Sequence, residues 1–228
     1  MTGDVAGTAV PAERTGDGID VRGVERRFGD VHAVRGMSFR APPGEVTAFV
    51  GANGAGKTTV MLMLATLLAP DAGTVRVAGY DPVAEPADVR ARLGWSPDVF
   101  GLYEGLTPRE YLEHFGAAYR LPPARRRSRA EELLAQTFLI ELADRPVSGL
   151  SRGQKQRLGL ARALVHEPDV LLLDEPAAGL DPRSRVELRD LLRALAAQGA
   201  TVLVSSHILA ELEEVADRVV LVEAGRTV

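Results

Sequence analysis

The stretch GANGAGKT, Gly51 to Thr58, constrains the fold more than any other part of the chain. It fits the phosphate-loop spacing of Gly, four residues, Gly, Lys and then Ser or Thr. Its lysine is one of only two in the sequence, although Lys and Arg together number 27. Such a loop works in one setting. A strand must lead into it and a helix must leave it, so that backbone N–H groups and the positive helix end face one point. Both flanks are present. Val46 to Val50 is a short apolar strand, and Lys57 to Leu68 carries apolar residues at helical spacing up to Pro70-Asp71-Ala72-Gly73. Gly51, Gly54 and Gly56 allow close approach of phosphates, with Ala52, Asn53, Ala55 and Thr59 in the same cradle. Lys57 is expected to reach β- and γ-phosphates, and Thr58 to offer its hydroxyl to Mg²⁺.

The flanking pattern extends this unit into a fold. Ile19 to Val24 and Val31 to Arg40 alternate as strands around a turn at Gly29-Asp30, and Pro42-Pro43-Gly44 ends the second. Thr74 to Val77 reads as another strand. Thr107 to Arg145 turns helical with a break at Leu121-Pro122-Pro123, which reads as an inserted helical lobe over about residues 100–150. Ser151 is placed to N-cap a helix through Val165. Then come a buried strand (Val170 to Leu173), an amphipathic helix (Arg183 to Gln198), a strand (Thr201 to Ser205), a helix (Leu209 to Ala216) and a last strand (Val219 to Val222). The expected class is α/β. A phosphate-loop NTPase core would have a mainly parallel sheet with helices on both faces, an N-terminal antiparallel β subdomain and the inserted helical lobe. Residues 19–228 are expected to form this nucleotide-binding domain. The preceding residues, rich in Gly, Thr, Ala and Asp, read as a disordered leader to Gly18.

Composition removes several classes. Acidic residues outnumber basic ones by 31 to 27, so no global positive field recruits nucleic acid, and none is expected as a partner. The run Arg125-Arg126-Arg127 with Arg129 is followed by Glu131 and Glu132 and has no interleaved aromatic, so it reads as a solvated helix start. The absence of cysteine excludes disulfides and thiolate zinc sites, and fits a cytoplasmic protein. No run approaches the ~20 apolar residues needed to span a bilayer. Any membrane span must therefore come from another polypeptide.

LLLDEP, Leu171 to Pro176, puts two carboxylates at the C-terminal end of a buried strand, where open parallel sheets bind ligands. Opposite a phosphate loop, Asp174 is the natural Mg²⁺ ligand or its support, and Glu175 the natural general base for water. With LSRGQ (Leu150 to Gln154), AGLD (Ala178 to Asp181) and His207 in this order, the chain resembles the ATP-binding subunit of an ABC transporter over about Ile19 to Gly225. Gly51 to Thr58 is similar to the Walker A loop, Leu150 to Gln154 to the family signature, Asp174 and Glu175 to the Walker B pair. Ala178 to Asp181 is similar to the D-loop and His207 to the switch histidine.

The resemblance implies a head-to-tail pair of such chains, with ATP and Mg²⁺ as cofactors. Ser151, Gly153 and Gln154 of one chain would contact the γ-phosphate held by the other, Asp181 would sit in the same interface, and His207 would hold the transition state. The pair would be a homodimer, or a heterodimer with a sister subunit. It would power an integral-membrane permease in trans from the cytoplasmic face.

Three positions depart from the family pattern. Arg152 replaces the first signature glycine and either adds a cation near a phosphate or faces solvent. Phe28 falls where an aromatic stacks on adenine, and otherwise reads as an ordinary core Phe. Asp98 stands where the family has a Gln that touches Mg²⁺, and an Asp can ligate the same ion. The surrounding SPDVFGLYEGLTPREYL resembles the exporter branch. Leu102, Tyr103 and Tyr111 would then meet the permease, or else pack within the lobe. Two further readings stay open: an ABC-type ATPase acting on ribosome or DNA, and a nucleotide-gated module with little turnover.

Overall fold

A computed structural model describes residues 17–99 and 101–228. The leader expected to Gly18 lies, up to residue 16, outside the described residues. The chain builds two sheets. Strands β1 (Ile19–Phe28), β2 (Val31–Ala41) and β4 (Ala72–Val77) form an antiparallel sheet in the order β2-β1-β4. The second sheet runs β5 (Leu93–Ser96), β6 (Val170–Asp174), β7 (Thr201–Ser206), β3 (Val46–Gly51), β8 (Arg218–Glu223) and β9 (Arg226–Thr227). Its first five strands are parallel, and only β9 runs antiparallel. This is the expected α/β architecture.

Alternation along the central strands sends side chains to opposite faces. Val46, Ala48 and Val50 enter one core, with Leu171, Leu173, Val202 and Val204 beside them. Phe49, Leu172 and Leu203 enter the other. The first core is covered by α5 (Arg152–Ala163), α6 (Pro182–Ala197) and a lobe made of α3 (Pro108–Ala118) and α4 (Pro123–Gln136). The second is covered by α1 (Lys57–Leu64) and the antiparallel sheet, through Met61, Met63, Ile19 and Met37. Each fully buried aliphatic side chain contributes roughly 1.5–3 kcal/mol, so the two layers pin the sheet that carries the site.

The helical lobe falls between β5 and α5, as expected. Thr107 opens it with a capping box: its hydroxyl accepts the Glu110 N–H at 3.2 Å, and the Glu110 carboxylate accepts the Thr107 N–H at 2.8 Å. Three expectations need correction. Helix α1 stops four residues early, because Thr66 turns left-handed (φ 64°) and its N–H and that of Leu67 bond back to Met63 and Leu62. A short helix α2 (Pro86–Arg92) and the edge strand β5 fill the stretch before Asp98 that the pattern left blank. After His207 there is a single 3₁₀ turn, Leu209–Glu211, where a helix to Ala216 was expected. There the Glu211 side chain turns back to Ser206 (3.0 Å) and Arg185 (3.3 Å), while Leu212 and Val215 are drawn into the core.

Candidate functional site

The loop leaving β3 uses its glycines for different reasons. A Cβ on Gly51 would sit 2.2 Å from the Val222 carbonyl oxygen, so the neighbouring strand excludes any side chain there. Gly56 is left-handed (φ 100°), and a Cβ there would meet the Ala33 oxygen at 2.7 Å. Gly54 (φ 81°) faces open space. No side chain caps α1 and no acid lies in its first turn, so its leading N–H groups remain able to take an anion. Lys57 is 6% exposed. Its Nζ donates to the carbonyls of Gly51 (2.5 Å) and Ala52 (3.3 Å) and lies 3.9 Å from Glu175 Oε1.

Strand β6 delivers the acid pair. Asp174 is buried and would be costly there without partners. Thr58 Oγ1 donates to its Oδ2 at 3.1 Å, and Ser205 Oγ donates to its Oδ1 at 2.5 Å. The parallel register that sets Asp174 opposite Ser205 places this second donor. Ser205 Oγ also accepts the Glu175 N–H at 3.0 Å. Glu175 itself is left-handed (φ 52°), a conformation that costs a non-glycine residue about 1–2 kcal/mol. Its carbonyl accepts from Gln156 Nε2 (3.0 Å) and from the Ala178 N–H (3.1 Å). Its carboxylate lies 2.9 Å from His207 Nδ1. An imidazole nitrogen facing a carboxylate oxygen at that distance carries the hydrogen. Loop lysine, acid pair and histidine thus form one connected polar group.

Lys57, Thr58, Asp174 and Glu175 bound a cleft of about 370 Å³ together with Phe28, Asn53 and Asp98. The Phe28 ring is 47% exposed at the rim, which removes the reading of it as a core residue. The Arg26 guanidinium lies 5.0 Å from its centroid. Asp98 is exposed on the segment that follows β5. Among the described residues no three acids or histidines gather as a metal site. Thr58 and Asp174 place hard oxygens side by side at 3.1 Å, a donor set that suits Mg²⁺, which is typically held by one or two carboxylates plus substrate phosphates.

The signature residues lie elsewhere. Ser151 caps α5 in a reciprocal box: its Oγ accepts the Gln154 N–H at 3.3 Å, and Gln154 Oε1 accepts its N–H at 2.9 Å. Ser151 and Gly153 do not line the phosphate-loop cleft. Arg152 is exposed, and its side chain packs over Gly179 of the AGLD turn. Asp181 caps α6 by accepting from the Ser184 N–H (3.0 Å) and Oγ (2.5 Å). The Ser184 hydroxyl, then the Ser184 amide, lower the Asp181 pKa below the ordinary carboxylate value. Of the three candidate permease contacts, Tyr111 is corrected. It is fully buried in the lobe, while Leu102 packs partly against the core and Tyr103 is exposed. Sequence reasoning missed Ser205 and Gln156. The first sits in the SSH triplet ahead of His207, and the second two residues past the signature.

The ABC transporter family profile matches residues 34–178. The chain is 44% identical over 210 residues to a daunorubicin resistance ATP-binding protein, DrrA3, of Streptomyces coeruleorubidus, covering 92% of this chain and 66% of that protein. It is 42% identical over 210 residues to Nod factor export ATP-binding protein I of Burkholderia lata, covering 92% and 69%. It is 39% identical over 208 residues to the ABC transporter ATP-binding protein NatA of Bacillus subtilis, covering 89% and 85%. A solved ATP binding subunit of an ABC transporter superposes with a TM-score of 0.83 at 31% identity, covering 92% of this chain and 87% of that one. The chain therefore spans just under two thirds of the length of the daunorubicin resistance relative.

Proposed function

The chain belongs to the ABC transporter family, and from that premise we propose that it is the ATP-hydrolysing subunit of a membrane exporter. One observation carries the ATPase part: Lys57, Thr58, Asp174 and Glu175 converge on a single cleft at the phosphate loop, and His207 joins them through the Glu175 carboxylate. In this reading the loop amides and Lys57 bind the phosphates, with Lys57 exchanging carbonyl oxygens for phosphate oxygens. Phe28 stacks on the adenine. Thr58 and Asp174 would hold Mg²⁺, and Asp98, which lines the same cleft, is a further candidate ligand. The ion would neutralise charge on the β- and γ-phosphate oxygens. Glu175 takes the proton of the attacking water, and His207, hydrogen-bonded to that carboxylate, orients it toward the γ-phosphate.

The signature does not line its own chain's cleft, which supports completion of each site by a second chain. Ser151, Gly153 and Gln154 of that chain would close over the γ-phosphate, with Asp181 in the same interface. The second copy is identical or a sister subunit. Among the described residues no helix is long and apolar enough to cross a membrane. In this reading the pair acts on an integral-membrane permease from the cytoplasmic face. The export direction is supported by relatives named for daunorubicin resistance and Nod factor export. The exposed Tyr103 and the partly buried Leu102 are the remaining candidates for the permease contact.

The test joins turnover with partnership. Glu175→Gln is expected to bind ATP, to lose hydrolysis about 10²-fold or more and to accumulate as an ATP-bound dimer. Wild-type turnover in that variant would remove Glu175 as the base. The tagged chain is expected to bring down an integral-membrane protein in stoichiometric amount from detergent-solubilised membranes. Recovery of ribosomal or DNA-bound proteins in its place would overturn the exporter reading and leave the ATPase chemistry.

A further inference from the structure

Glu175 leaves the sheet at its edge, and its carboxylate points wherever its peptide is held. The left-handed turn (φ 52°) is fixed by three hydrogen bonds. Ser205 Oγ takes the N–H at 3.0 Å, while Gln156 Nε2 and the Ala178 N–H, at 3.0 and 3.1 Å, share the carbonyl. Ser205 belongs to the rigid central sheet, and Ala178 to the same turn as Glu175. Gln156 alone comes from another layer, the second turn of α5.

Its neighbours on α5 are engaged elsewhere. Gln154 closes the capping box with Ser151, Lys155 faces Glu104 at 3.8 Å, and Arg157 pairs with Glu187 on α6 at 2.7 Å. Gln156 is therefore the side chain of the signature helix that hydrogen-bonds the Glu175 peptide itself, while Arg152 packs further along the turn, over Gly179. Its amide suits the task, because a neutral NH₂ donates to a carbonyl at no charge cost.

We propose that Gln156 is a positioning residue for Glu175, through which the signature end of α5 sets the aim of the base in the same chain. This rests on the reading of Glu175 as the base of an ATPase. A shift of Ser151 to Gly153, carried by the boxed first turn, reaches the Glu175 carbonyl through one side chain. The site that one chain completes in its partner is thereby linked to its own.

The experiment compares the full chain with Gln156→Met, Gln156→Glu and Gln156→Lys. Methionine keeps the length without a donor, glutamate offers only acceptors, and lysine restores a donor. Expected for Met and Glu is a fall in kcat of about tenfold or more, as for a misplaced catalytic group. KM, the affinity for a fluorescent ATP analogue and the melting temperature stay near wild type, and lysine recovers most of kcat. The proposal is overturned if kcat in Gln156→Met stays within about twofold of wild type, or if kcat, KM and melting temperature deteriorate together in all three. Glu175→Gln run in parallel separates the two failures. If it abolishes turnover while Gln156→Met does not, only the positioning role falls. If it leaves turnover intact, the base assignment and the positioning role fall together.

Discussion

Ser205 is the hinge of the site, and Ser205→Ala tests that with a magnitude worked from contacts. The side chain is fully buried on β7. Its Oγ donates to Asp174 Oδ1 at 2.5 Å and accepts the Glu175 N–H at 3.0 Å. Alanine removes one hydrogen bond to a carboxylate, worth about 1.5–3 kcal/mol, and strands a buried N–H, at a cost of about 1–3 kcal/mol. Asp174 keeps only the Thr58 hydroxyl. The expected loss is about 3–5 kcal/mol, which at roughly 2–4 °C per kcal/mol for a domain of this size lowers the melting temperature by about 10 °C. The protein stays folded, because domain stabilities run to about 5–15 kcal/mol. Hydrolysis suffers separately. With the Glu175 N–H released, its left-handed turn relaxes and the carboxylate leaves its aim, at a cost of about 10²-fold in kcat. The assay is calorimetric melting beside steady-state ATPase, with Ser206→Ala as control. The Ser206 hydroxyl bonds Glu211 and the Ile208 N–H, and neither acid of the pair. Its loss is expected to cost about 1–2 kcal/mol and to spare most of kcat. A Ser205→Ala chain that melts with wild type and hydrolyses at the wild-type rate would refute the reasoning.

Three further outcomes can be checked. Phe28→Ala removes the one exposed aromatic that lines the cleft among the described residues, and a lost base stack of about 1–3 kcal/mol predicts roughly five- to 150-fold weaker ATP binding by titration calorimetry. Unchanged affinity would place adenine elsewhere. Asp98→Gln removes a charge at the cleft, so half-saturation by Mg²⁺ is expected to move by about threefold or more. An unmoved Mg²⁺ titration takes Asp98 out of the site. His166 stacks on Tyr119 at 3.8 Å and lies 3.1 Å from the Leu93 carbonyl. Burial first, and then the charge of Arg129, push its pKa down from 6.5 to about 4, against the bond to Leu93. The unfolded chain therefore takes the proton first. This stability is complete above about pH 6.5 and fades as pH falls toward 4, by about 2 kcal/mol at pH 5. His166→Phe should flatten that part of the pH dependence of urea unfolding, and equal slopes would refute it.

What could be read from the sequence divides along a physical line. Gly51 to Thr58 and Asp174-Glu175 were legible because each is a short pattern whose spacing is itself the geometry. The helix after the loop was overextended because Thr66, not glycine, takes the left-handed stop, and nothing in its residue type announces that. Strand β5 escaped because four residues, LGWS, at a sheet edge carry too little alternation to register. The turn after His207 keeps helical spacing in Leu209, Leu212 and Val215, yet Glu211 is drawn out of it by Ser206 and Arg185. Tyr111 failed as a permease contact because an aromatic on an amphipathic helix is indistinguishable by sequence from one that faces a partner.

Ser205 and Gln156 mark a deeper limit. Ser205 matters through its register against Asp174 on a neighbouring strand, and Gln156 through the crossing of α5 over the end of β6. Such pairings join positions 31 and 19 residues apart and leave no local pattern. Ligand-facing residues must repeat a fixed chemistry, so a motif captures them. The residues that aim them need only one hydrogen bond in the right place, which many sequences can supply and only three dimensions reveal. The Glu175 peptide, left-handed and held by β7, α5 and its own turn, is where these two kinds of residue meet. Perturbing the supports should therefore separate turnover from nucleotide binding more cleanly than perturbing the phosphate loop, where both are lost at once.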